Sequence, residues 1–503
     1  MITRRRALTG LAVGGGAVLA GGAAIRTTGL WPGPAMAAAP RPLAIPPLLR
    51  GEVRDGARVF EMSLKRGRSQ FFDGMSTPTI GINGAYLGPT LAWRRGERVR
   101  MQVTNDLGTQ STLHWHGVHL PARADGGPHQ VIAPGATWSP EFEVRQPAAT
   151  VWYHSHMLHR TAEQVWFGLA GMIYLTDAES EALDLPQDYG VDDIPVVVQD
   201  RAFGRGGELI YSSGMHNRMM GATGGTLLVN GTINPTFEAR SDRLRLRLLN
   251  GSNARSYAFG FDDGRGFEIV ASDGGLLAAP YRTRGVTLAP GERAEIVVDL
   301  SDGRPATLRS NPPSAARATG GGMGGMMGRM MGGDATAFDV LRIVPSPDRR
   351  RAAPALPDKL AALPAPDSAS AVGTRQMLLD GGGMGGMMMG GGFTIDGRLF
   401  DMNRIDARVR AGTSEIWEIE NRSPLAHPMH IHDVQFRILD RDGRPPVPAE
   451  AGLKDTVLVA PGERVRLLLR FANYADPEAP YMYHCHILEH EDAGMMGQFV
   501  VTG

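Results

Sequence analysis

Disulfide chemistry within the chain is excluded at once, because only one of the 503 residues, Cys485, is a cysteine. A lone cysteine ordinarily serves as a small buried hydrophobe, so its neighbours must decide what it does. Charge of one sign is also lacking. Lys+Arg and Asp+Glu both number 52 and no block of like charge interrupts the body, so no nucleic-acid partner is expected. Apolar stretches of helical length are scarce past the N-terminus. What is plentiful instead is turn-forming residue, Gly 66 and Pro 35, which points to many short strands joined by turns. The composition, 42% hydrophobic and 21% charged, is that of a globular protein, and the length allows about three domains of ~150 residues.

The N-terminus reads as an address. Thr3-Arg4-Arg5-Arg6-Ala7-Leu8 resembles a twin-arginine signal, lacking only the phenylalanine usual at the Ala7 position. Residues 7–25 form a weakly apolar run whose six glycines make it a poor membrane anchor and a good signal core. Ala35-Met36-Ala37 offers a cleavage site, with Ala37-Ala38-Ala39 as the alternative. Residues 1–37 are therefore expected to be a signal peptide, and the chain to be exported by the twin-arginine route to a periplasmic or extracellular location. Loss of four arginines and no acids leaves the mature chain about four charges negative.

Alternating runs recur along the body: Arg98–Thr104, Gly171–Leu175, Ile194–Asp200, Leu244–Leu249 and Phe338–Val344. Such alternation suits half-buried strands of antiparallel sandwiches. A turn phrase also repeats, as Ala133-Pro134-Gly135, Ala289-Pro290-Gly291-Glu292-Arg293 and Ala460-Pro461-Gly462-Glu463-Arg464, at intervals of about 155–170 residues. Pro-Gly is common turn chemistry, but together with the length it favours three versions of one sandwich. The expected units are 50–180, 190–345 and 375–503, with the Pro- and Ala-rich 346–374 as a linker.

Eight of the 14 histidines fall in four His-x-His pairs: His114/His116, His154/His156, His430/His432 and His484/His486. Chance would give about 0.4 such pairs at this abundance. On a strand, residues i and i+2 face the same way, so each pair can aim two imidazoles at one place. Exposed or core-satisfied rings are the ordinary reading for single histidines, but four pairs together suit a multinuclear metal site. Two pairs lie near each end of the chain, so the site would form where the ends pack together. Cys485 sits between His484 and His486 and thus points to the opposite face. His490 follows five residues on and Met495 ten on, while His427 precedes His430 by three. Two histidines, a thiolate and a weak axial methionine make a blue-copper site. Zinc is the alternative metal, but it cannot change redox state and gains nothing from a cysteine that links two sites.

His114-Trp115-His116-Gly117, His154-Ser155-His156, His427-Pro428-Met429-His430-Ile431-His432 and the run from His484 to Met495 resemble the four copper motifs of the multicopper oxidase family. The likeness extends over about 50–503, including Gln199-Asp200 and Leu248-Leu249-Asn250-Gly251, and is strongest to the bacterial copper-efflux oxidase and laccase branch. It implies an all-β fold of three cupredoxin-like Greek-key β-sandwich domains and four copper ions. It also implies the ligands. The type 1 copper would take His427, Cys485 and His490 with Met495 axial; the type 2 copper, His114 and His430. The type 3 pair would take His116, His154, His156, His432, His484 and His486. Asp125 and Glu491 match acidic residues that relay protons or tune the cluster in relatives. Asp125 also reads as a turn residue before Gly126-Gly127, and Glu491 as a solvated acid. His119, His129, His159 and His216 receive no metal role. The implied reaction takes dioxygen to water, with Cu(I) or a small aromatic molecule as electron donor, in a monomer without a stable membrane anchor.

Two segments are compositionally odd: Gly320–Gly333, with Met323, Met326, Met327, Met330 and Met331, and Gly381–Gly392, with Met384, Met387, Met388 and Met389. So many glycines disfavour a helix and suit surface loops. A spacer is one reading. Methionine is an odd choice for a spacer, however, being apolar and easily oxidised, and thioethers select Cu(I). Cu(I) capture is the expected role, with Met215, Met219 and Met220 beside His216 as possible additions. Copper-efflux relatives place Asp and Met four and two residues before the first blue-copper histidine, whereas this chain has Ser423 and Leu425. Phenol oxidation is therefore the rival activity. A copper carrier would not need the full ligand set. Copper-free cell-division relatives would have lost ligands, and none is missing here. A copper nitrite reductase would lack the paired histidines.

Overall fold

The computed structural model describes residues 38–311, 337–350, 355–382, 392–472 and 474–503. The expected signal peptide and all nine methionines of the two glycine-rich segments lie outside these residues. The described strands form six sheets that face each other in pairs, each pair enclosing one apolar core. Several sheets mix parallel and antiparallel neighbours, and sequence neighbours are often split between facing sheets, as in a Greek key. Among the described residues no helix is long and apolar enough to cross a membrane.

The three Pro-Gly phrases build the same corner three times. In each, glycine adopts positive φ (Gly135 78°, Gly291 84°, Gly462 76°), a conformation that suits a residue without a Cβ. In each, the backbone closes with a bond of 3.0 Å, Ala136 N to Ala133 O, Glu292 N to Ala289 O and Glu463 N to Ala460 O. The glycine N–H then bonds the carbonyl of a strand-end asparagine: Asn105, Asn250 or Asn421. Each asparagine amide is buried and donates to two further carbonyls. One local device thus turns the chain in all three sandwiches.

Two expectations need correction. Alternation in Leu244–Leu249 suggests a half-exposed strand, yet Arg243–Asn250 is buried on both faces. Its arginines lie against the first sandwich, where charged and aromatic partners receive them. Arg247 holds Asp193 at 2.6 and 2.7 Å, and Arg245 Nε bonds Glu295 at 2.8 Å. Thr150 of the first sandwich donates to Glu295 at 2.6 Å, and the Arg247 guanidinium lies 3.9 Å from the centre of the Tyr174 ring. The expected unit boundaries also shift. Arg41–Pro42 adds an edge strand to the second sandwich and Leu48–Leu49 one to the first. Strand Phe338–Arg350 runs past 346, and Ala371–Gly381 begins before 374. Both ends of the expected linker are held by strand hydrogen bonds that its composition does not signal.

Glu295 carries a pH prediction. Burial would raise its carboxyl, but Arg245, Arg247 and Thr150 hold it down, from the ordinary 4.5 to about 2. A carboxylate depressed in the folded state contributes stability above pH ~4.5 that is lost as pH falls towards 2, about 3 kcal/mol in all. Denaturant titrations at pH 7 and pH 3 are expected to show somewhat more than half of that loss in the wild type and a flatter profile in Glu295→Gln. Equal pH slopes for the two proteins would refute this account.

Candidate metal centre

Four strands bring the histidine pairs together. β1 (His114–His116) pairs antiparallel with β2 (Ala149–His154), which sets His114 opposite His154. β3 (His427–Ile431) pairs with β4 (Asp476–Cys485), which sets His430 opposite His484. His156, His432 and His486 lie just beyond the ends of their strands. The two strand pairs meet face to face. The His114 and His432 rings stack at 3.9 Å and the His116 and His430 rings at 3.6 Å, all of them fully buried.

The eight rings sort themselves by distance. His116, His154 and His486 present ligand atoms within one 4.8 Å cluster, and so do His156, His432 and His484. His484 Nε2 is 3.3 Å from His156 Nε2 and 3.2 Å from His432 Nε2. A third convergence comprises His114, His430 and His432. The His114 and His430 Nδ1–H groups donate to the carbonyls of Asp125 and Asp455 at 2.9 and 2.8 Å, which fixes their tautomers. That leaves Nε2 of both rings, and both nitrogens of His486, buried with no hydrogen-bond partner among the described residues. A buried unpaired nitrogen is costly unless a metal takes its lone pair. Burial, reinforced by neighbouring imidazoles, pushes His116, His154, His430 and His432 well below the ordinary imidazole value. That direction favours the neutral form of these four rings, which is the form that binds metal.

Cys485 points the other way, into the apolar core of the third sandwich. His427 Nδ1 lies 3.4 Å and His490 Nδ1 3.6 Å from its Sγ. The Ile487 N–H points at the sulfur from 3.4 Å, and Phe393 packs edge-on or tilted against both rings. Met495 is fully buried in the same core, and its carbonyl accepts the Cys485 N–H at 3.0 Å. Burial pushes the thiol pKa up, so a metal binding here must displace its proton. A dry site with one thiolate and two imidazoles suits copper.

The two acidic residues join the same centre. Asp125 Oδ2 accepts from His432 Nδ1 at 2.7 Å, and Asp125 also ends a short 3-10 turn, so it sits both at a turn and beside the imidazole cluster. Glu491 is buried rather than solvated. It lies on α3 (Leu488–Asp492; α1 is Thr161–Phe167 and α2 is Met215–Met220), with carboxylate oxygens 3.2 Å from His156 Nδ1 and 3.2 Å from His484 Nδ1. His119, His129, His159 and His216 join no metal cluster among the described residues.

Sequence reasoning missed Asp455 and Arg293. Asp455 Oδ1 is 3.1 Å from His116 Nε2, and both its oxygens meet Arg293 at 2.6 Å. Arg293 also donates to the carbonyls of Thr150, Gly291 and Asp273, so it touches all three sandwiches. The glycine of His-Trp-His-Gly makes room for this pair: a Cβ on Gly117 would stand 2.4 Å from Asp455 Oδ2. No spacing motif marks either residue. The only signal was Arg293's place at the end of the repeated turn phrase.

Comparison with known proteins agrees with this geometry. Residues 63–180 and 374–503 each match a family model described as multicopper oxidase. The multicopper oxidase mco of Staphylococcus haemolyticus is 36% identical over 452 residues, covering 89% of each chain. The cell division protein FtsP of Salmonella typhimurium is 35% identical over 466 residues, covering 92% of this chain and 93% of that one. Among solved structures, the laccase-like multi-copper oxidase CueO of an Ochrobactrum species superposes with a TM-score of 0.83 at 37% identity, over 92% of this chain and all of the other. Buried imidazole clusters, a cysteine-centred site behind them and relatives matched over nearly the whole chain agree: the protein is an oxidoreductase of the multicopper oxidase family.

Proposed function

We propose that this oxidase takes electrons from Cu(I), in copper detoxification, and passes them to dioxygen outside the cytoplasm. The location rests on the twin-arginine-like N-terminus. His427, Cys485, His490 and Met495 would hold a type 1 copper, and His114 and His430 a type 2 copper. His116, His154 and His486 would hold one type 3 ion, and His156, His432 and His484 the other. Bound there, four one-electron metals supply the four electrons that reduce dioxygen to two waters.

The chain's own part is to position, insulate and deliver protons. The observation that carries the reading is the placement of Cys485 between His484 and His486: one backbone segment links both centres, and its alternation sends the thiol one way and the imidazoles the other. Asp125 orients His432, and Glu491 lies 3.2 Å from two further ring nitrogens; these are the carboxylates placed to hand over protons. The soft side chains of the two methionine-rich segments favour Cu(I) as donor.

Aromatic donors are the second reading. Exposed Ile210 and Leu399 flank the Cys485 end: Ile210 precedes Tyr211, whose hydroxyl is 3.4 Å from Glu489, and Leu399 lies 3.5 Å from where a Gly494 Cβ would be. Oxygen uptake by the copper-loaded protein, with Cu(I) and with a phenol, tests both readings. Wild type is compared with a variant lacking Gly320–Gly333 and Gly381–Gly392. Loss of Cu(I) turnover alone is the expected effect of the deletion. Equal loss with both donors would make the segments structural, and no uptake with either donor after full loading would refute the oxidase.

A further inference from the structure

The outer edges of the two imidazoles beside Cys485 lead to different places. His427 Nε2 is bonded at 2.7 Å to the hydroxyl of Ser423, which in turn donates to the Leu425 carbonyl. That edge ends at a buried hydroxyl and a backbone carbonyl, with no soft metal donor beside them. His490 Nε2 instead donates at 3.0 Å to the carbonyl of Met219. Met219 lies on α2 (Met215–Met220), whose six residues include three methionines and His216.

The helix is pressed onto the site. Gly221, at its end, has φ +77°, and a Cβ there would stand 2.1 Å from Ala254 and 2.9 Å from Ile487. Met219 is buried in the apolar core that holds Cys485, and Met220 packs against that core. Met215 is 60% exposed, and His216 is exposed as well. His216 and Met220 are spaced i,i+4, so they share a face. Asn217 and Arg218 tie the helix back to Ser212 and Ser213. No hydrogen bond engages the His216 ring among the described residues.

We propose that α2 is a docking site for one substrate Cu(I) ion, held by the His216 imidazole with the Met220 and Met215 thioethers. The adjoining peptide of Met219, bonded to His490, conducts the electron inward. This rests on the cuprous-oxidase reading and places its point of electron uptake on a helix of the second sandwich. Each event turns Cu(I) into Cu(II) plus one electron. Four events and four protons reduce one dioxygen to two waters, the established use of electrons in this family. Thioethers hold Cu(I) well and Cu(II) poorly, so the oxidised ion is released.

The test is a Met215→Leu/His216→Ala/Met220→Leu variant of the copper-loaded enzyme, its fold checked by its blue absorbance. Ag(I) serves as a redox-inert stand-in, titrated in competition with a chelating dye. The wild type is expected to bind one more Ag(I) than the variant. The ratio of kcat/KM for Cu(I) to that for a phenol is expected to fall about tenfold or more in the variant. An unchanged Ag(I) stoichiometry, or an unchanged ratio in a wild type that does oxidise Cu(I), overturns the α2 site and leaves the cuprous-oxidase reading standing. A wild type that oxidises the phenol but no Cu(I) overturns that reading, and the α2 site with it.

Discussion

Cys485→Ser is expected to abolish the blue absorbance and to lower oxygen uptake with every donor by at least about a thousandfold, the equivalent of ~4 kcal/mol. Serine keeps the backbone of β4 and the facing directions of His484 and His486, so the eight-imidazole centre should still load. What is lost is the soft donor at the meeting point of His427 Nδ1 and His490 Nδ1. The Ile487 N–H, now aimed at the sulfur, gives the new hydroxyl a partner, which limits the folding cost to about 1–2 kcal/mol. Metal content, visible and EPR spectra and oxygen uptake on one preparation separate these effects. A variant that kept its blue colour, or that lost copper from both centres equally, would contradict the assignment of Cys485 to a site of its own.

The second large effect concerns Arg293, which contributes no ligand. Arg293→Met is expected to cost roughly 3–5 kcal/mol, because it leaves the Asp455 carboxylate buried without its partner. Arg293→Lys should recover little, since an ammonium cannot reproduce two parallel contacts at 2.6 Å together with three carbonyl contacts. The informative protein is Arg293→Met/Asp455→Leu. An apolar pair of similar volume often restores stability where a single change does not. If Asp455 also orients His116, from 3.1 Å away, the double variant should regain its denaturation midpoint yet stay deficient in copper at the eight-imidazole centre. Recovery of both would reduce the pair to a structural bolt.

What could be read from the residues alone follows from periodicity. Paired histidines at i and i+2, a cysteine between two of them and turn phrases that recur at domain spacing are local patterns, and strand geometry converts them directly into facing directions. Those patterns place the centre and its opposite-facing thiol. Charges that find their partners only in three dimensions leave no such trace. Leu-Arg-Leu-Arg-Leu reads as a half-exposed strand until Asp193, Glu295 and Tyr174 are seen to enclose its arginines. Asp455 and Arg293 are far apart in the chain, and nothing near either one announces the other. Asn105, Asn250 and Asn421 perform one task three times, but each lies about 30–40 residues before its turn phrase, a separation at which strand-pairing rules make no link. Glu491, adjacent to His490, was legible as a candidate, though its burial was not.

The stacked rings bear on how the protein matures. His156 and His484 lie 328 residues apart in sequence, and each three-imidazole cluster draws on both ends of the chain. A nascent polypeptide cannot own such a cluster until its final strand has docked, long after its first sandwich could have formed. Filling of the eight-imidazole centre therefore reports the completion of assembly, and chain-end truncations should yield sandwiches that never fill it. A strongly non-local contact of this kind also slows closure. Until that closure the imidazoles of the two ends stand apart, and the ligand set that selects the ion does not yet exist.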